Sequence, residues 1–294
     1  WGSARLRTLH GSRPPLTCMG QEVVITGGRP SAFSAPRLMV RRLMRHRRLV
    51  RHLVVRDLKV TYHGTVIGYG WTMLEPLLLT AVYWAVFALL RGNEDPLFVL
   101  EILLGVLVYG LFSKTLSQTT TGLVGYSGLI KQTSVPREVF LWSGGAFQTL
   151  RFMLSCLVIP PTMLLLGVDV DWTLLLLPLI AIPTLALAMG LGLIGAVMHT
   201  HIRDTAHVVS ILTRAGFFLS GVFFGMRHID EAFHETFALN PVAVLIEMSR
   251  STMTGDTSLL ELEWIGRTLL VCFIVLLLGS IVFVRREAEA VKHL

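Results

Sequence analysis

Residues 45–76 read RHRRLVRHLVVRDLKVTYHGTVIGYGWTMLEP, a dense basic segment that runs directly into a long apolar one. At about 100° per residue, a helix over residues 39–60 would have two contrasting faces. The basic face consists of Arg41, Arg45, Arg48, His52, Arg56 and Lys59. The apolar face consists of Met39, Leu43, Val50 and Val54. Since such a helix lies in a membrane surface rather than crossing it, the stretch predicts an interface helix in contact with lipid.

The composition indicates an integral membrane protein. Of 294 residues, 53% are hydrophobic and 15% are charged, whereas a soluble domain of this size carries about 25% charged residues. The net charge of +7 would suit nucleic acid, but the apolar runs argue against a nucleic-acid partner. We therefore interpret the basic residues as signals of membrane topology.

Six segments have the length and apolar character of membrane-spanning helices. They are residues 69–90, 97–116, 140–166, 172–197, 206–226 and 264–284. Pro160-Pro161 should break the third segment near its outer end. The predicted fold is thus all-α, with six spans after the interface helix.

Lysine and arginine are distributed asymmetrically between the connections. With the N-terminus in the cytoplasm, the inner segments carry fifteen of these residues and the outer segments three. This bias places both termini in the cytoplasm. The predicted divisions are a disordered tail (1–36), the interface helix (37–68), the transmembrane domain (69–284) and a cytoplasmic tail (285–294).

The outer connection 227–263 contains an apolar run too short to cross a membrane. It extends from Phe237 to Met248 and is interrupted by Asn240-Pro241. Such an element is either re-entrant or interfacial, and a re-entrant one must be buried by protein or wetted by a cavity. Both alternatives remain open from the sequence.

Several polar and aromatic side chains could line a path through the spans. Arg151 lies midway along the third span, where a charge is costly and usually faces the interior of the bundle. An internal ion pair is the alternative. The other predicted lining residues are Ser117, Gln118 and Thr121, with the aromatic residues Tyr83, Phe217 and Phe218. The hydroxyls could instead bond between helices, and the rings could belong to an interfacial belt.

The motifs of common catalytic and metal sites are missing from the sequence or are in unsuitable contexts. Nothing matches the phosphate-binding pattern GxxxxGK[ST], so we expect no ATP site on this chain. Gly190, Gly192 and Gly195 match a dinucleotide-binding spacing, but their apolar context favours close helix packing. Histidines between residues 199 and 207 have no acidic or cysteine partners suited to a metal, and no metal site is predicted.

These features together resemble the permease subunits of ABC-2-type exporters, in the branch that exports O-antigen, teichoic acid and related cell-envelope glycans. The resemblance covers residues 48–286. It rests on RDLKVTYHGTVIGYGWTMLEP (56–76), LVGYSGLIKQTSVPREVF (123–140), HIRDTAHV (201–208) and NPVAVLIEMSRSTMTG (240–255). It implies a homodimer of six-span subunits that pairs with two soluble nucleotide-binding ATPase subunits, which hold the ATP and Mg²⁺.

The resemblance also implies roles for particular residues. Contact with the ATPase would be made by Lys131, Pro136, Arg137 and Glu138 in one inner segment, and by Arg203 and Asp204 in the next inner turn. An outer gate would include Asn240, Pro241 and Glu247. In the interface helix the matching residues are Arg45, Arg48, Arg56, Asp57 and Lys59.

Asp57 does not fit the two-faced helix, because it falls on the apolar side. Acyl chains would solvate a carboxylate poorly there. Either the helix bends near residue 56, or Asp57 contacts protein, for example the first ATPase-coupling segment or the ATPase itself.

The expected function is therefore a half-channel in the inner or plasma membrane that moves a lipid-linked glycan outward. The first alternative is an ABC-2 permease for a drug or a small lipid. An integral-membrane glycosyltransferase would require an acidic catalytic motif on a larger loop than this chain has. A passive channel would not need the coupling segments.

Overall fold

The computed structural model describes residues 35–91, 96–133, 135–255 and 260–290, and every regular element in these ranges is helical. The predicted tail 1–36 lies almost entirely outside the described residues. The first six helices are α1 (Ala35–Arg45), α2 (Arg47–Tyr62), α3 (Trp71–Arg91), α4 (Pro96–Gly125), α5 (Ser127–Gln132) and α6 (Glu138–Cys156). The others are α7 (Ile159–Leu165), α8 (Leu177–His201), α9 (Thr205–Leu219), α10 (His234–Ala238), α11 (Pro241–Thr254) and α12 (Leu262–Ala290).

Five helical segments in the described ranges are long and apolar enough to cross a membrane. They are Gly68–Leu89, Leu97–Gly125, Glu138–Leu165, Trp172–His201 and Leu262–Glu287. The predicted span 206–226 corresponds instead to α9, which has 15 residues. At about 1.5 Å per residue, α9 extends about 22 Å, less than the ~30 Å hydrocarbon core of a bilayer. The chain turns after α9, where Gly221 has a φ of +66°.

The predicted break in the third spanning helix is present, and it lies a few residues before Pro160 and Pro161. α6 ends at Cys156, and α7 begins at Ile159, directly before Pro160. Proline has no N–H, and its ring clashes with the preceding turn of a helix. The junction is closed by tighter hydrogen bonds, including one from the Val158 N–H to the Ser155 carbonyl at 3.1 Å.

The three glycines of the apparent dinucleotide-binding pattern bring α8 close to its neighbours. A Cβ on Gly190 would lie 2.5 Å from the Val275 carbonyl oxygen in α12. Cβ atoms on Gly192 and Gly195 would lie 2.6 Å from side-chain atoms of Thr119 and Thr120 in α4. The interpretation as close helix packing is therefore confirmed.

The basic segment forms two helices rather than the single predicted one. The break is at His46, whose ring Nδ1 lies 2.9 Å from the Arg42 carbonyl oxygen. α1 packs against α6 and α12, and α2 packs against α6. The predicted basic face is exposed along both helices, while Met39 and Leu53 are buried beneath them.

Candidate functional site

A cavity of about 470 Å³ lies between α3, α4, α6 and α9. Its polar wall includes Glu75, Ser113, Lys114, Gln148, Arg151 and Arg214. Its aromatic wall includes Tyr83, Tyr109, Phe152, Phe217 and Phe218. Four of the predicted lining residues, Arg151 and the three aromatic ones, thus lie on one cavity.

A three-residue charge network forms part of this cavity. Lys114 Nζ lies 2.7 Å from Glu75 Oε1, and an Arg151 terminal nitrogen lies 2.9 Å from Glu75 Oε2. The Arg151 side chain is 18% exposed, whereas those of Glu75 and Lys114 are 40% and 42% exposed. Arg151 is therefore both a lining residue and a member of an internal ion pair, so the two alternatives for it are compatible.

Arg214 extends the basic wall of the cavity from α9. Its side chain is exposed, and no carboxylate in the described part of the chain pairs with it. α9 is held against α4 near this point, because the Tyr109 hydroxyl donates to the Thr213 carbonyl. The packing of α9 thus places a cation at the cavity without supplying a counterion.

The predicted aromatic residues pack together in one cluster. The Tyr83 and Phe217 ring centroids are 5.6 Å apart, and both rings also contact Phe223, at 4.9 and 5.1 Å. Phe218 packs edge-on to Phe217 at 5.6 Å. These distances are in the range of favourable aromatic pairs, so α3 and α9 meet through their rings.

Ser117, Gln118 and Thr121 lie outside the wall of this cavity, so their role as lining residues stays a prediction. Gln118 Oε1 accepts a hydrogen bond from Gln148 Nε2 at 2.6 Å and thereby joins α4 to α6. Thr121 is exposed and donates to the Ser117 carbonyl of its own helix at 3.1 Å. The Gln118–Gln148 bond fits the alternative in which these groups bond between helices, whereas Thr121 bonds within its own helix.

Sequence reasoning did not select Glu75 or Gln148 as lining residues. A signal for Glu75 was available, because a carboxylate within an apolar segment usually has a cationic partner. Nothing in the sequence indicates which cations pair with it, since Lys114 and Arg151 are 39 and 76 residues away.

The predicted coupling segment contains the short helix α5. Lys131 is exposed, while Pro136 and Arg137 are half-buried. Pro136 and Arg137 border a second cavity of about 260 Å³, which Arg42 and Glu287 also line. The other predicted coupling residues, Arg203 and Asp204, are exposed in the turn between α8 and α9. Of the six residues predicted to contact the ATPase, all except Glu138 have side chains that are accessible to a partner.

Glu138 does not reach the surface, which corrects its predicted role. Its side chain is 0% exposed, and Oε1 lies 3.1 Å from an Arg42 terminal nitrogen. The same nitrogen lies 3.2 Å from Glu287 Oε1. Burial opposes the charge on Arg42, but the two carboxylates outweigh that effect and raise the Arg42 pKa. Glu138 is thus part of an internal joint between α1, α6 and α12.

Asp57 contacts protein, which was one of the two explanations offered for its position on the apolar side of the helix. The Tyr126 hydroxyl donates to Asp57 Oδ2 at 3.0 Å, and Arg56 NH2 lies 2.7 Å from Asp57 Oδ1. Burial, together with the Asp57 charge, raises the Tyr126 pKa to about 12, so the phenol keeps its proton and donates. Because Tyr126 directly precedes α5, this bond joins the second interface helix to the predicted coupling segment.

The predicted outer-gate residues meet the chain that leaves α9. Asn240 accepts from the Val242 N–H at 3.0 Å and so caps α11, in which Pro241 is the first residue. The Asn240 amide also donates to Ser220 Oγ at 3.1 Å. Glu247 is buried and pairs with Arg250 at 3.0 Å.

Arg250 organises the segment between α9 and α10, a role that sequence reasoning missed. Its guanidinium donates to the carbonyls of Gly221, Val222 and Phe224 at 2.8, 3.0 and 3.2 Å. Buried carbonyls need such donors where the backbone is irregular. Glu101, which pairs with Arg227 at 2.7 Å, lies beside this cluster and completes a set of buried charges.

Comparison with known proteins adds independent information. The family described as ABC-2 type transporter matches residues 48–254. An O-antigen export system permease protein from Klebsiella pneumoniae is 26% identical over 78% of this chain and 88% of its own length. A protein of the same name from Myxococcus xanthus is 29% identical, over 71% and 81%. A polysialic acid transport protein from Escherichia coli is 22% identical, over 69% and 80%.

Proposed function

We propose that this chain, which belongs to the ABC-2 type transporter family, is the permease subunit of a polysaccharide exporter in the inner or plasma membrane. The observation that carries the proposal is the similarity, over most of the chain, to proteins named for O-antigen and polysialic acid transport. These names favour a polysaccharide over a drug or a small lipid. The substrate is a lipid-linked glycan that moves from the cytoplasmic to the outer side.

The cavity supports this substrate class chemically. Sugar rings present both hydroxyl groups and apolar C–H faces. Tyr83 and Phe217 offer rings for the apolar faces, while Ser113 and Gln148 offer hydrogen-bonding groups. A wall with both kinds of group suits a sugar better than it suits an alkyl chain.

The proposed topology has six crossings with both termini in the cytoplasm. α9 and the chain after it make the fifth crossing, and α10 and α11 re-enter from the outer side. Two observations support the arrangement. Arg42 bridges Glu138 and Glu287, so the start of α6 and the end of α12 lie on the same side. α11 is buried over Val242–Ile246, as a re-entrant helix must be.

The working unit is a homodimer with two soluble ATPase subunits, which bind ATP and Mg²⁺. Lys131, Pro136 and Arg137, together with the turn at Arg203 and Asp204, contact the ATPases. Closure of the ATPases moves α5. Because Tyr126 is bonded to Asp57, the motion passes to the interface helices as well as to α4 and α6.

Depletion of the chain in its native host tests the function directly. Surface polysaccharide should fall severalfold, with the lipid-linked glycan accumulating inside the cell. Restoring the wild-type chain should reverse both changes, and a variant of the partner ATPase that cannot hydrolyse ATP should reproduce them. Unchanged surface polysaccharide with altered drug sensitivity would favour the drug exporter instead.

The coupling assignment predicts that Arg137→Glu weakens ATPase association. A charge reversal at a basic contact typically costs enough to lower co-purification of the ATPase severalfold. The matched control is Glu231→Lys, an exposed charge reversal on the predicted outer side. Equal ATPase recovery with wild type and Arg137→Glu would refute the assignment, provided both chains insert equally.

A further inference from the structure

The cavity between α3, α4, α6 and α9 carries an excess of positive charge. Its described walls contain three cations, Lys114, Arg151 and Arg214, but one carboxylate, that of Glu75. Lys114 and Arg151 share Glu75 at 2.7 and 2.9 Å, and Arg214 has no carboxylate partner among the described residues. A charge cluster that served stability alone would be expected to balance its charges, since uncompensated charge is costly at membrane depth.

The cluster also has unused hydrogen-bonding capacity. Arg151 Nε is buried and has no acceptor within the described part of the chain. Glu75 and Lys114 both line the cavity and their side chains are about two-fifths exposed, so their contact can open without unpacking a helix. The cations can therefore exchange the carboxylate for another acceptor.

The ligand chemistry that matches these donors is an oxyanion. A guanidinium binds phosphate or carboxylate oxygens in pairs, and an ammonium adds a third, charge-assisted bond. The volume of about 470 Å³ falls within the range of small-molecule sites. Tyr83 and Phe217 border the same space, so a ring attached to the oxyanion would have aromatic neighbours.

We propose that this cavity is an oxyanion site that holds a phosphate or carboxylate group of the exported glycan lipid, and that Glu75 is the resident counterion which that group displaces. The identity of the ligand rests on the proposed function, whereas anion binding by the cavity does not. Arg214, for which the described part of the chain supplies no carboxylate, makes the first contact. Lys114 and Arg151 follow as Glu75 is released.

The test measures the affinity of small-molecule probes for the purified full-length permease in nanodiscs of zwitterionic lipid. Three probes separate the possible sources of the oxyanion: a short-chain isoprenyl phosphate, an oligomer of sialic acid, and the uncharged isoprenol. We expect at least one anionic probe to bind at least tenfold more tightly than isoprenol. The tighter anionic probe identifies the oxyanion as that of the lipid carrier or that of an acidic sugar.

Three variants at the cavity and one control variant distinguish this site from a structural ion pair. Arg214→Gln should weaken binding of the preferred anionic probe by about tenfold, and Arg214→Lys should retain most of the affinity. Glu75→Gln should strengthen binding severalfold, because the competing carboxylate is gone. Arg286→Gln removes an exposed cation at the far end of α12 and should leave binding unchanged.

Equal affinity for isoprenol and both anionic probes would overturn the proposal. So would weaker anion binding by a normally folded Glu75→Gln, or equal losses in Arg214→Gln and Arg286→Gln. Arg214 is exposed and has no carboxylate partner in the described ranges, so its variants should fold even if Glu75→Gln does not. If depletion of the chain removes surface glycan but no anionic probe binds, only the oxyanion site fails. If an anionic probe binds but depletion leaves surface glycan intact, the exporter function fails instead.

Discussion

Two carboxylates, Asp57 and Glu138, attach the basic N-terminal helices to the rest of the molecule. Asp57 lies on the side of its helix that acyl chains would cover, but the Tyr126 hydroxyl and Arg56 solvate it. Glu138 is fully buried and relies on Arg42 for its counter-charge. A buried carboxylate is tolerated only with such partners, so each pair fixes where its helix can dock.

Tyr126→Phe should weaken the joint between α2 and the predicted coupling segment. It removes a hydrogen bond to a charged acceptor, which contributes about 1.5–3 kcal/mol. We expect a lower melting temperature in detergent and slower glycan export. Combined with Asp57→Asn, the loss should be less than additive, because both changes remove the same bond. Tyr69→Phe, on an exposed tyrosine, is the control, and strictly additive effects would argue against the bond.

Arg42→Ala should be more destabilising than Glu138→Ala. Loss of Arg42 leaves the buried Glu138 carboxylate unpaired, which typically costs about 3–5 kcal/mol, whereas loss of Glu138 leaves Arg42 paired with Glu287. The measurement is thermal unfolding of the purified protein in detergent. Arg41→Ala, one residue away on the exposed face, provides the control. Similar melting temperatures for the Arg41 and Arg42 variants would contradict the assigned pairing.

At the scale of the helices, α8 is the element against which its neighbours are packed. It contacts both α4 and α12, and glycines along it let the helices approach at backbone distance. Within a membrane, association of helices depends on such close packing and less on the hydrophobic effect. The pattern GxGxxG therefore has a packing explanation here, independent of any nucleotide.

Gly190→Ala should destabilise the protein by about 1–3 kcal/mol, the usual range for overpacking. The added Cβ would lie 2.5 Å from the Val275 carbonyl oxygen, so α8 and α12 would have to separate. Gly266→Ala in α12 is the matched control, since nothing lies within 4 Å of its added Cβ. The two melting temperatures should differ clearly. Equal stability of both variants would show that the α8–α12 contact is looser than the structure indicates.

At the scale of the whole molecule, the proposed orientation places α5 and the end of α12 inside and the α9–α10 connection outside. Arg42 supports this arrangement, because it connects the N-terminal helices to both α6 and α12. Glycan export needs this direction, since the proposed coupling residues would meet a cytoplasmic ATPase and the proposed gate would open outward.

Cysteine labelling checks this orientation. In a background with the native cysteines replaced by alanine, Asp230→Cys should react with a membrane-impermeant thiol reagent on intact spheroplasts. Arg286→Cys should react only after permeabilisation. Both positions are exposed in the structure, so access depends on the membrane alone. The reverse labelling pattern would invert the topology.

The sequence by itself determined the all-helical membrane class, the family and the basic face of the N-terminal helices. These properties depend on composition, spacing and motifs that can be read along the chain. The break near Pro160 and the packing role of Gly190 followed in the same way, because proline and glycine act on the backbone locally.

Only the tertiary structure decided which charges meet. It joined Glu75 to Lys114 and Arg151, buried Glu138 behind Arg42, and used Arg250 to hold the carbonyls after α9. These partners lie between 26 and 96 residues apart in the chain. Hydropathy and helical period are properties of neighbouring residues, whereas a charge pair depends on how distant helices pack. The sequence therefore indicates that a buried charge needs a partner. Which residue that partner is depends on the tertiary structure.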